Sequence, residues 1–296
     1  MIVRDYLPDP AFREFVRCYR IVHFEFDKTA EFPFKAYPPL PEECLHFFTR
    51  EGEQVELLNA KKKDYQLPIV LVGQLTSVLN RFLGRDFLNF QVVFQPTGLY
   101  RLTGIPSFEL TNQYLDAEDI FSKNIRFILE QLRHAGNYTE MLQVADKFVD
   151  TLIKGVRKSV HQLDSVSKLM MQRDGNVSLD WLARESCLCP KQFRRKFNER
   201  AGVNPKTYTK IIRFSKAFNT KNANPDWDWL RIALECDYFD YQHLVKDYKD
   251  LTGVTPNELH LLEGNSPERR LGLTDEVYQS RLRLPEPVAS PGWGLI

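Results

Sequence analysis

Lys191, Arg194, Arg195 and Asn198 recur at helical offsets of three, four and seven, one stripe of a helix, with Phe193 and Phe197 one turn apart on its back. The planar fork of arginine matches guanine O6 and N7, a contact worth about 1–3 kcal/mol of base discrimination. Lysine neutralises phosphate, and such neutralisation supplies much of the affinity of proteins for DNA. A helix with an apolar back and a basic front can therefore lie in a DNA groove. Further along, Tyr241, Gln242, His243 and Lys246 occupy the matching stretch of a second candidate helix. There Gln242 suits adenine, and His243 or Lys246 suits phosphate.

The elements that position these side chains are legible. Ser178 suits the cap of a helix carrying Leu179, Leu182 and Ala183 on one face. A break at Cys187–Pro190 follows, and Pro190 opens a helix to about Ala201. Helix, tight turn and basic helix make a helix-turn-helix. The pattern then repeats. Phe193, Phe197, Gly202, Val203 and Pro205 correspond to Leu244, Tyr248, Gly253, Val254 and Pro256, each 51 positions on. Trp229–Cys236 supplies the second supporting helix, broken at Asp237–Asp240. Both basic-helix candidates end in Gly-Val-x-Pro, where glycine permits the left-handed stop. Asn204-Pro205 and Thr255-Pro256 start new helices, Glu258 completing a capping box. Between the units, Thr207–Asn219 predicts one long helix burying Tyr208, Ile211, Ile212 and Phe218.

This duplicated order over about 100 residues resembles the DNA-binding domain of AraC/XylS-type transcriptional regulators. Cys187 to Phe193 is six steps and Asp237 to Leu244 is seven, matching the family's longer second turn. Phe94-Gln95-Pro96-Thr97-Gly98 and Gly104-Ile105-Pro106 are similar to a sensor region that precedes this domain in some members. The resemblance implies two recognition helices entering successive major-groove faces roughly 34 Å apart. It also implies an N-terminal domain that senses a small-molecule effector or mediates dimerisation. Two departures stand out: Cys187 and Asp237-Tyr238 replace the usual turn glycine and glycine-phenylalanine, so a distorted second unit is expected. Charge is asymmetric as well. Residues 191–216 carry nine Lys/Arg and one acid, +8, whereas residues 228–263 carry three and eight, −5. Asp237, Asp240 and Asp247 would then flank a helix meant to approach phosphates.

The predicted fold class is α+β in two domains: a β-rich, barrel-like sensor domain with helices, then an all-α domain with two helix-turn-helix units. Residues 1–121 read as strands and turns, with strand runs at Cys18–Phe26, Leu45–Thr49, Val55–Leu58, Ile69–Gln74 and Phe87–Phe94. Phe32, Phe34, Phe47, Phe48, Phe82, Phe87, Phe90 and Phe94 would fill its core or line a cavity. Residues 122–158 predict linking helices; Leu142, Ala145, Val149, Leu152 and Val156 have heptad spacing, so packing within the chain and a dimer seam both stay open. Residues 159–263 form the DNA-binding domain, and 264–296 an irregular, proline-containing tail.

The chain has 296 residues and a net charge of +1. No apolar run reaches the ~20 residues that span a bilayer, nor does the N-terminus carry a secretory core. Five scattered cysteines (Cys18, Cys44, Cys187, Cys189, Cys236) point to a reducing cytoplasm, and Cys187 and Cys189, with no second pair at zinc spacing, read as buried small side chains rather than metal ligands. The six histidines form no two-histidine metal motif; phosphate-binding glycine loop and nucleophile elbow are lacking, so no enzyme, catalytic residue, metal or cofactor is expected. Expected partners are double-stranded DNA, a small-molecule effector, a second copy of the chain and the transcription machinery, without a membrane. Two alternatives remain: an interaction regulator whose degenerate second unit leaves DNA alone, and a metal-dependent barrel enzyme gathering His23, His46 and Glu43.

Overall fold

The computed structural model describes residues 1–27, 34–57, 67–273, 278 and 286–287. Strands come first: β1 (Ile2–Leu7), β2 (Val16–Glu25), β3 (Phe34–Tyr37), β4 (Cys44–Phe48), β5 (Glu53–Leu57), β6 (Ile69–Val72), β7 (Leu79–Leu83) and β8 (Asp86–Phe94). Helices α1 (Gly98–Thr103) and α2 (Ser107–Leu110) lead to β9 (Tyr114–Asp116), then α3 (Glu118–Phe121), α4 (Ile125–His134) and α5 (Tyr138–Lys154). The strands build two sheets, β10-β1-β2-β8-β4-β6-β9 and β3-β7-β5, with β10 (Glu286–Pro287) returning from the tail. The expected barrel is an open pair of sheets.

The large sheet is covered on both faces, which is why its central strands read as apolar runs. Along β6 the period of two divides the side chains: Ile69 and Leu71 join the cluster under α4 and α5, while Val70 and Val72 join Val55, Leu79 and Leu83 of the small sheet. Phe47, Phe48, Phe87, Phe90 and Phe94 are buried as expected; Phe34 and Phe82 pair across the small sheet with ring centres 5.4 Å apart. Phe32 lies outside the described residues.

Helices α4 and α5 are a layer of this domain rather than a free linker. Ile125, Leu129, Leu132, Leu142, Ala145 and Val149 are buried against Phe47 and Phe90. The heptad positions Leu142, Ala145 and Val149 at the heart of α5 are thereby packed inside the chain, with Leu152 and Val156 partly buried beside them.

The remainder is helical: α6 (Gln162–Gln172), α7 (Leu179–Glu185), α8 (Pro190–Ala201), α9 (Pro205–Ala223), α10 (Trp229–Glu235), α11 (Tyr241–Thr252), α12 (Pro256–Glu263) and α13 (Pro267–Arg270). Of the tail, residues 264–273, 278 and 286–287 are described. Lys35 of β3 donates to Glu263 at 3.0 Å and to Glu268 at 2.7 Å, and buried Tyr278 donates to Glu263. Beyond them, Glu286 and Pro287 pair in parallel with Tyr6 and Leu7.

Candidate nucleic-acid interface

The two helix-turn-helix units are built by the same local rules. Ser178 Oγ accepts from Trp181 N at the start of α7, and Asp228 Oδ1 accepts from Arg231 N at the start of α10. In the first turn Cys187 N donates to Arg184 O and Leu188 N to Ala183 O; in the second, Asp237 N donates to Leu234 O and Tyr238 N to Ala233 O. Cys187 and Asp237 both take left-handed backbone, with φ of 52° and 59°. The turn geometry thus persists without glycine, at a strain of about 1–2 kcal/mol per position. The expected distortion of the second unit is corrected. The repeat offset is 50 residues up to these turns and 51 after them, so the insertion falls between Tyr238 and Tyr241.

Helix α9 joins the units without a break. Tyr208 and Ile212 pack with Phe193 and Phe197 of α8. Phe214 and Phe218, further along, pack with Leu244 and Tyr248 of α11; the Phe214 and Tyr248 rings lie edge to face with centres 4.7 Å apart. Each recognition helix is therefore pinned by its apolar back to a different stretch of one rod. Gly202 and Gly253 end α8 and α11 in left-handed conformation.

On α8, Lys191, Arg194 and Arg195 are exposed and Asn198 is half-buried. On α11, Gln242 and Lys246 are exposed, while Tyr241 and His243 are half-buried. Tyr241 packs against the core, and the His243 ring lies edge-on to Tyr238. Two neighbours escape a reading of the sequence. Phe239, 89% exposed, occupies the longer second turn. Val245 stands at the 51-residue equivalent of Arg194. The signal for Phe239 is the residue inserted in the second turn, and for Val245 it is the 51-residue offset itself.

Most acids of the second unit have partners within the protein. Asp247 is buried and pairs with Arg213 at 3.3 Å and Lys210 at 3.6 Å; Asp250 pairs with Lys210 at 2.5 Å, which holds its carboxyl below the usual range. Asp237 lies 3.4 Å from Lys216. Asp240 and Asp228 cap helices, Glu258 completes the capping box with Thr255, and Glu263 pairs with Lys35. Asp247 and Asp237 thus have cations of α9 as partners, while Asp240 caps the start of α11.

The C-terminal end of α8 is clasped by the N-terminal domain at the segment with sensor-like sequence. Ser107 Oγ donates to Arg200 O at 3.0 Å, Thr111 Oγ1 to Gly202 O at 2.6 Å, and Tyr100 Oη to Glu199 at 2.9 Å. Buried Asp164 of α6 accepts from Thr97 Oγ1 at 2.6 Å and lies 3.5 Å from Arg200. Burial raises the Glu43 carboxyl to about 8 beside Ser107. After α5, Arg157 N and Lys158 N return to Arg101 O.

The N-terminal domain also holds a cavity of about 550 Å³ lined by Phe48, Arg50, Glu53, Leu67, Phe82 and Arg133 among others. The trio His23, His46 and Glu43 is not assembled. His46 bonds Asn89, and His23 bonds Tyr138 of α5. Cys18, Cys44 and Cys236 are buried thiols, but Cys187 and Cys189 are exposed, which corrects the expectation that this pair is buried: both belong to the tight turn rather than to a helix back. Trp227 stacks under Arg231 and Trp229 packs on Tyr248. No helix among the described residues is long and apolar enough to cross a membrane.

Residues 182–260 match a family described as a helix-turn-helix domain, and residues 4–116 match a domain of unknown function, DUF6597. No curated protein matches the chain. Among solved structures, ToxT from Vibrio cholerae is similar at 13% identity, covering 82% of this chain and 98% of that one with a TM-score of 0.47. ToxT from Vibrio cholerae O395 is similar at 14% identity, covering 85% and 99%, with a TM-score of 0.45.

Proposed function

We propose that this chain, whose C-terminal domain is an AraC-type helix-turn-helix domain, regulates transcription by reading promoter DNA through α8 and α11. The observation that carries this reading is the pair of matching turns and recognition helices fixed to one continuous rod, α9. In it, Lys191, Arg194 and Arg195 contact bases and phosphates from the first unit, with Asn198 beside them. Gln242 reads a base from the second, and Tyr241, His243 and Lys246 contribute base or phosphate contacts. Most of the affinity comes from the first unit, because its exposed cations outnumber those of α11.

The N-terminal domain controls the first unit through the clasp on α8 rather than through α4 and α5 alone. A small effector would occupy the cavity lined by Phe48 and Phe82, where apolar walls and arginines offer both burial and polar anchoring.

Selection from a random duplex pool with the full chain, followed by footprinting, tests the reading. The expected result is protection of two major-groove segments about one helical turn apart. Binding of equal strength to every duplex, or none at low salt, would overturn it.

A further inference from the structure

His23 and Glu25 are two residues apart on β2, so their side chains share one face of the sheet, and Asp86 of β8 is the direct cross-strand partner of Glu25. The donor atoms of all three lie within 4.8 Å of one another. His23 is 9% exposed. Its Nδ1 is 2.6 Å from the Tyr138 hydroxyl, at the first turn of α5. Its Nε2 is buried and faces Glu25 Oε1 at 3.1 Å without the alignment of a hydrogen bond. A buried imidazole nitrogen that makes no hydrogen bond thus lies beside the Glu25 carboxylate and within 4.8 Å of a donor oxygen of Asp86.

From this geometry we infer that His23, Glu25 and Asp86 form a binding site for a divalent cation of the zinc type. An imidazole with two carboxylates is a known kind of ligand set for such ions, leaving a fourth position to water. Metal–ligand distances of about 2.0–2.2 Å require the donors to draw together to roughly 3.4 Å. His23 and Glu25 already meet this spacing. Asp86 and Glu25 are half-exposed at their side chains, so rotation closes the rest and the ion enters from solvent. In the tautomer that donates from Nδ1 to the Tyr138 hydroxyl, the lone pair lies on Nε2, the outer-shell arrangement that orients metal-bound histidines. In the absence of the ion, Arg50 neutralises the same carboxylates, at 2.6 Å from Asp86 and 3.3 Å from Glu25. Guanidinium and metal ion therefore compete.

Calorimetric titration of the full chain with ZnCl2 tests the site, in a Cys187→Ser, Cys189→Ser background that removes the exposed thiols. One equivalent should bind, and Glu25→Gln, Asp86→Asn and His23→Gln should each weaken it at least about tenfold. Tyr138→Phe should weaken it by roughly tenfold, and Arg50→Ala should strengthen it, a result that a merely structural role for these residues would not produce. Glu25 and Asp86 are surface side chains, so their variants keep the test valid if His23→Gln unfolds. Absence of binding, or binding unchanged in Glu25→Gln and Asp86→Asn, overturns the site.

Discussion

Arg213 of α9 reaches Asp247 of α11 at 3.3 Å, while its guanidinium lies over the Tyr238 ring with 5.5 Å to the ring centre. One arginine thus ties the linker helix to both the turn and the recognition helix of the second unit. Asp247→Ala would leave Arg213 and Lys210 without their shared carboxylate. The expected loss is about 1.5–3 kcal/mol of stability, the scale for a hydrogen bond to a charged group, because the cations left behind are 22% exposed and Lys210 keeps Asp250. Asp247→Asn should lose less, since an acceptor remains. Urea unfolding of the three proteins measures this, and equal midpoints would refute it.

Arg195→Ala should weaken DNA binding more than Lys246→Ala. The first removes a side chain able to read guanine, worth about 1–3 kcal/mol. The second removes mainly one phosphate contact and lowers the salt slope by about one. Titrations at two fixed salt concentrations separate the cases; equal losses in affinity would contradict the assignment.

Equivalent glycines should not be equivalent on substitution. A Cβ at Gly202 would meet Thr111 Oγ1 at 2.8 Å and Ser107 O at 3.1 Å, whereas one at Gly253 meets nothing within 4 Å. Gly253→Ala costs only left-handed strain, about 1–2 kcal/mol. Gly202→Ala adds a collision with the N-terminal domain and should also raise proteolytic cleavage at the domain joint. Similar melting temperatures for the two variants would count against this account of the clasp.

Glu43 makes stability depend on pH. Its carboxyl stays neutral in the folded protein to about 8, while the unfolded one ionises near 4.5. Between those values the native state binds more protons than the unfolded state. Stability therefore falls as pH rises, by at most about 1.4 kcal/mol per pH unit, and the decline ends above the folded value. Glu43→Gln, neutral throughout, should flatten that slope. Unfolding midpoints measured across the interval would show the same slope in both proteins if Glu43 were ionised in the fold.

The helix-turn-helix half is legible in the sequence because its determinants are local: Ser178, Pro190, Gly202 and Thr255 each set their own turn. Less of the first half can be read. In β7, Arg81 faces inward between Leu79 and Leu83, and in β3 Lys35 is buried. Both interrupt the apolar alternation that marks a strand. Each is compensated by a carboxylate far along the chain, Glu53 for Arg81 and Glu263 with Glu268 for Lys35. Asp237, Asp247 and Asp250 of the second unit likewise find their cations on α9, beyond a local reading. The candidate base-reading side chains are visible in sequence; the clasp on Gly202 is not, because Ser107 and Thr111 come from another domain.

The unbroken run of α9 has a consequence for the operator. Its 19 residues span about 28 Å, and each residue advances the axis by about 100°. An added or deleted residue there would swing one unit out of phase with the other, so the rod acts as a ruler. The matching gap in the promoter is then held to a narrow length, and an extra base pair between the two half-sites cannot be absorbed by a slack tether.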